Sequence, residues 1–161
     1  MSRARTAALA LALAAVPAHA QAPNEVTLGA GLLSGEFTYA RRLGRGPVSV
    51  GAGAWGAWEP PSSFDRNVWE PLGVSVFARV RPAPWAHADF GPTVARYVRA
   101  DDCSDTCVGT LAGVRAVAMV GYRWVFAGPE VVVGRATDDR YGSDVGALWG
   151  VQVRGVLGWG R

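Results

Sequence analysis

The chain has 161 residues, half of them apolar, with 16 basic residues against 13 acidic ones and a formal charge of +3. Two of the arginines, Arg3 and Arg5, belong to a removable leader; the fourteen that remain against thirteen acids leave a near-neutral protein with no sequence-wide attraction to nucleic acid. The remainder is of single-domain size.

The leader is MSRARTAALALALAAVPAHAQ: two arginines, an apolar run from Ala7 to Val16, and a small-x-small site at Ala18-His19-Ala20. It reads as a secretory signal, residues 1–20, cleaved before Gln21. An exported chain with two close cysteines, Cys103 and Cys107, most simply closes one local disulfide that staples a loop, and no histidine lies nearby to make a metal site.

From Glu25 onward the pattern has a period of two. Val26, Leu28, Ala30 and Leu32 alternate with Thr27, Gly29 and Gly31. A turn expected at Ser34-Gly35 leads to Phe37, Tyr39 and Leu43 opposing Glu36, Thr38, Ala40 and Arg42. After Gly44 to Pro47, the residues Val48, Val50, Ala52, Ala54 and Trp58 oppose Ser49, Gly51, Gly53 and Trp55. Leu72 to Arg81 puts Leu72, Val74, Val76, Ala78 and Val80 against Gly73, Ser75, Phe77, Arg79 and Arg81.

The next segment sets Ala86, Ala88, Phe90, Pro92, Val94 and Val98 against His87, Asp89, Thr93, Tyr97 and Arg99, with Pro92 expected to weaken the strand or mark a bulge. Arg96 falls on the apolar face, where it is tolerated near a membrane boundary. Val108 to Trp124 carries Arg115 and Arg123 on its polar side, and a turn is expected near 126–129, before a strand with Glu130 inward and Val131 and Val133 outward. The final stretch, Ala147 to Trp159, has one wholly apolar face bracketed by Trp149 and Trp159, opposing Gln152 and Arg154.

About eight strands result, the number that closes a small barrel. Nearly every strand has an apolar face almost free of charge, and the opposite face collects the arginines and carboxylates. Phe37, Trp58 and Trp149 are expected at one rim, and Tyr122, Trp124 and Trp159 at the other, as interfacial girdles. Long connections at 59–67, 100–107 and 137–146 alternate with short ones at 44–47, 82–84 and 126–129. The expected fold is therefore an all-β, antiparallel up-and-down transmembrane barrel over residues 21–161.

On these features, from Val26 to Trp159 and with GYRW at Gly121 to Trp124 as a local echo, the chain resembles the small outer-membrane β-barrel proteins of Gram-negative bacteria, the group that includes OmpA-like and OmpX-like barrels. The resemblance implies a monomer in the bacterial outer membrane. Its partners would be outer-membrane lipid, lipopolysaccharide and the barrel-assembly machinery, which recognises a terminal aromatic residue. Here Trp159 is followed by Gly160 and Arg161.

The lumen of such a barrel is filled by side chains. Arg42, Arg79, Arg81, Asp89, Arg115, Arg123, Glu130, Gln152 and Arg154 form the expected network there, with arginine in excess and the surplus charge left for water, phosphate or lipid headgroups near the mouths. Inward glycines such as Gly51, Gly53 and Gly73 are expected to make room for the arginines.

The reading is a non-enzymatic protein with a structural or surface-interaction role, no cofactor and no metal. Its rivals are a lipid A-modifying enzyme, a narrow anion channel and a soluble periplasmic ligand-binding barrel. The enzyme would need a set such as Ser75, His87 and Asp89, but His87 falls near the periplasmic end, away from lipid A in the outer leaflet. Asp101, Asp102, Asp105, Asp138, Asp139 and Asp144 cluster in the outer loops, a pattern that suits solvated surface and could also hold a divalent cation.

Overall fold

The computed structural model describes residues 22–31, 34–58, 62–64, 68–99, 108–138 and 142–159. The leader, the cysteine pair with Asp101, Asp102 and Asp105, and Asp139 lie outside the described residues. Eight strands follow one another: β1 (Asn24–Gly31), β2 (Ser34–Arg42), β3 (Val48–Ala57), β4 (Val68–Ala83), β5 (Ala86–Arg99), β6 (Val108–Tyr122), β7 (Val125–Asp138) and β8 (Gly142–Trp159). Each pairs antiparallel with the next, and β1 pairs with β8 to close the ring. The start of β1 and the end of β8 share one end, here the near end, with the turns at 43–47, 84–85 and 123–124.

The ladders fix the geometry of the ring. A walk across them from Leu28 passes Phe37, Ala54, Val74, Val94, Ala112, Arg135 and Val145. Partners in the β8–β1 ladder sum to 183, as in Asn24 with Trp159, so Val145 meets the line of β1 at 183 − 145 = 38, ten residues beyond Leu28. Eight strands with that stagger tilt by about 40° from the axis. At this tilt β1 rises only about 20 Å and β8 about 45 Å, so the β7–β8 hairpin stands well above the β1–β2 hairpin at the far end.

The strands alternate as their sequence demands. Thr27, Thr38, Ser75, Arg79, Asp89, Gln152 and Arg154 are buried, while Leu28, Val74, Val76, Phe90, Val120, Val133 and Val151 are exposed. Several boundaries differ from expectation. Ser34 and Gly35 belong to β2, paired with Ala57 and Gly56, so the first hairpin turns before them. The sixth connection is a two-residue turn at Arg123-Trp124; Gly128 and Pro129 stay within β7, because Gln152 and Val151 of β8 pair with them there. The last expected loop is mostly hairpin, Gly134 to Asp138 pairing with Gly142 to Gly146. Pro92 keeps its register against β6, and the irregularities of β4 fall instead at Trp69/Leu72 and Val80/Ala83.

Of the inward glycines expected to accommodate arginines, none does so: Gly51 makes room for an aromatic ring, Gly53 lies against Thr38 and Gly73 against Ala95, and two further inward glycines, Gly109 and Gly121, also face rings. Phe77, Tyr97 and Phe126 stand directly opposite Gly51, Gly109 and Gly121 on the neighbouring strand, and a Cβ at any of the three would overlap the ring. Tyr97 is buried in the far-end core, so displacing its ring disturbs the packing there. Gly109→Val should therefore destabilise the fold by about 1–3 kcal/mol in urea titrations, and by less once Tyr97→Ala has removed the obstacle.

The far end is closed by an apolar layer of Trp55, Phe64, Tyr97, Leu111, Val132 and Leu148. Its most distant recruit, Phe64, comes from the β3–β4 connection. Because β1 stops at Gly31, opposite Gln152, β8 above that point has no β1 partner among the described residues. Ser63 occupies part of that edge: its N–H donates to the Ala147 carbonyl at 2.8 Å, and the Ala147 N–H donates to Ser63 Oγ at 2.9 Å. This seats Phe64 over Gly146, with its side chain buried across the mouth.

Candidate functional site

Below the apolar layer the lumen is ionic. Arg81 Nη1 and Nη2 donate to the two oxygens of Glu25 at 2.9 and 3.2 Å. Arg79 Nη1 reaches Glu25 Oε2 and Thr27 Oγ1, each at 3.2 Å. The Arg79 Nε and Nη2 grip Asp89 side-on at 2.7 and 2.9 Å. Arg154 Nη1 meets Asp89 Oδ2 at 2.7 Å from the other side, and its Nη2 meets Glu36 Oε2 at 2.8 Å. Glu36 also accepts from Arg115 Nη2, and Arg115 Nε donates to Glu130 Oε1 at 2.7 Å. Gln152 Nε2 donates to Glu130, and its Oε1 accepts from Arg154 Nε at 3.4 Å, so Gln152 links the last carboxylate back to Arg154.

The result is a single chain of alternating charge: Arg81, Glu25, Arg79, Asp89, Arg154, Glu36, Arg115, Glu130. None of these side chains is more than 10% exposed. They come from every strand except β3, which contributes the Trp55 ring, its centroid 5.7 Å from the Arg115 guanidinium. Taking such ions out of water costs several kcal/mol each, and alternation with multiple hydrogen bonds offsets that cost.

Of the expected network, Arg79, Arg81, Asp89, Arg115, Glu130, Gln152 and Arg154 come together. Glu25 and Glu36 were not in the expected set, although parity with Thr27 and Thr38 places both inward. With them the four buried arginines meet four carboxylates, so the expected excess of arginine inside the lumen is not found. Arg123 departs for a local reason: it occupies the two-residue turn in the left-handed region (φ 56°), exposed, its guanidinium 5.3 Å from the Tyr122 ring. Arg42 is half-buried at the near-end mouth, outside the chain of ion pairs.

The Ser75, His87 and Asp89 set is not assembled. Ser75 donates to Thr93 Oγ1 at 2.9 Å, and Thr93 lies six residues along β5 from His87, about 20 Å away along the strand. Thr93 also accepts from Trp55 Nε1 at 2.8 Å and donates to the Val74 carbonyl at 2.9 Å. Asp89 is held by two arginines. His87 is buried against the Phe126 ring, centroids 4.8 Å apart, and neither ring nitrogen has a hydrogen-bond partner among the described residues.

On the outer surface, Trp149 and Trp159 are half exposed and ten residues apart on β8, about 25 Å along the axis at the strand tilt. Trp58 is exposed near the level of Trp149; Tyr122, 74% exposed, lies near the level of Trp159, with Trp124 in the adjoining turn. Trp85, in the β4–β5 turn, and Tyr39, whose ring is 6.1 Å from that of Trp159, extend the near-end group. Phe37 does not sit at the far rim: the stagger leaves it about 10 Å below Trp58 and Trp149, between Leu28 and Ala54. Among the described residues, Arg96, Thr110, Arg135 and Thr137 begin a polar outward surface above the far rim. No group of histidine, cysteine and carboxylate side chains among the described residues could hold a metal ion. No family model matches the chain, and neither a curated protein nor a solved structure is matched by it.

Proposed function

We propose that this protein is a non-enzymatic, monomeric outer-membrane barrel with a structural or surface-interaction role, exported through a cleaved signal. The observation that carries the proposal is the inversion of polarity. Val74, Val76, Phe90, Val120 and Val151 are each at least 60% exposed, while four ion-paired arginines fill the interior. Water does not sustain a continuous apolar belt of this extent, and hydrocarbon does. The belt's height, about 25 Å between the aromatic groups on β8, suits the apolar band of a transmembrane barrel.

The occupied lumen favours a rigid support over a conduit, since an anion pathway would have to break paired buried charges. Lipid would then surround the belt, lipopolysaccharide would meet the far-end hairpins, and the assembly machinery would read the β8 strand. The direct test is gel mobility of the membrane fraction in SDS with and without boiling. A fast band that becomes slow on heating is the expected result. A soluble protein without a shift would overturn the reading and make the apolar belt an interaction surface in water.

A further inference from the structure

The near-end mouth differs from the lumen behind it. Arg42 and Arg45 join Arg81 around a cavity of about 280 Å³ whose lining includes one carboxylate, Glu25. Both oxygens of Glu25 are already engaged by Arg81 and Arg79. Arg42 and Arg45 have no ion-pair partner among the described residues. The charge surplus absent from the lumen is therefore gathered here.

We propose that this mouth is a binding site for a phosphate group. Guanidinium forks match the oxygens of phosphate, and a concave site between them needs an anion to balance its charge. Arg81 is held in place by its two bonds to Glu25 and lies 5.7 Å from the Phe126 ring. Its backbone N–H donates to the Pro47 carbonyl at 2.9 Å, which ties the end of β4 to the β2–β3 turn that carries Arg45. Gly44 makes that turn possible with φ at 65°, a conformation other residues rarely adopt. Pro47, Pro82 and Pro84 stiffen the rim, and Ser49 adds a hydroxyl to the lining.

The cavity has room for a phosphate with its ester substituent. Leu43 and Trp85, exposed near the mouth, offer apolar surface to an alkyl tail. Two sources share this chemistry: a soluble phosphate or phosphate monoester, and the headgroup of a phospholipid. The site itself does not depend on insertion into a bilayer.

The test is a titration of the intact protein in neutral detergent, followed by the NMR signals of the arginine Nε–H groups. One arm adds inorganic phosphate, and the other adds short-chain phosphatidylglycerol with phosphatidylcholine as reference. Saturable shifts of Arg42, Arg45 and Arg81 are expected, weakened at least tenfold by Arg42→Gln/Arg45→Gln. Arg41→Gln/Arg123→Gln, which removes the same charge from this end outside the cavity, should leave affinity within twofold. Saturation by phosphate alone assigns a soluble ligand, and binding at least tenfold tighter to phosphatidylglycerol assigns a lipid headgroup. No saturable shift in either arm, or equal weakening by the two double variants, would overturn the site. If the protein proves soluble without detergent, the same titration in buffer tests the site separately from the membrane reading.

Discussion

Val76→Arg should destabilise the barrel by about 2–4 kcal/mol in a bilayer, because Val76 points outward near the middle of the apolar belt, where on the proposed membrane reading a guanidinium would meet hydrocarbon. Val76 is 61% exposed and pairs with Ala52, which places it roughly midway between the two aromatic rims. Position, not exposure, should set the cost. Val145 is 65% exposed, yet it lies on the β7–β8 hairpin beside Arg135, above the belt. Val145→Arg should therefore cost no more than about 1 kcal/mol. Urea unfolding from lipid vesicles measures both. A flat profile, with the two substitutions alike, would mean that water bathes the whole outer surface and that the membrane reading fails.

Asp89→Ala should cost about 3–5 kcal/mol, the usual penalty for leaving buried charges without their partner. Asp89 is the junction of the lumen, gripped by Arg79 through two hydrogen bonds and by Arg154 through a third. Its removal leaves two buried guanidiniums facing each other, each short of a counter-charge: Arg79 keeps only Glu25, which it shares with Arg81, and Arg154 keeps only Glu36, which it shares with Arg115. Asp89→Ala combined with Arg79→Met should recover part of the loss, since one of the stranded charges leaves with its partner. Arg42→Gln, at the mouth and outside the ion-pair chain, should stay within about 0.5 kcal/mol of the parent. Unfolding in detergent would separate these outcomes. A loss below about 1 kcal/mol for Asp89→Ala would show that water enters the lumen and solvates the arginines, contrary to a filled interior.

The division between outward and inward faces was legible along the chain because it is a local property: successive strand residues point to opposite sides, whatever their partners. Leu28 against Thr27, Val76 against Ser75 and Val153 against Arg154 could all be assigned from adjacent residues, and eight such segments implied closure. What only the tertiary structure decided depends on register summed around the ring. The turn at Arg123-Trp124 instead of Gly128-Pro129 follows from the pairing of β7 with β8, and the descent of Phe37 from the rim follows from the stagger. Phe64 reaches the core because β1 is shorter than β8. The meeting of Glu36 with Arg154, 118 positions apart, requires β1 to close on β8 with one particular displacement. Alternation places a charge inside the barrel; the height at which it meets its counter-charge is set by strand lengths and ladder offsets that no single segment encodes.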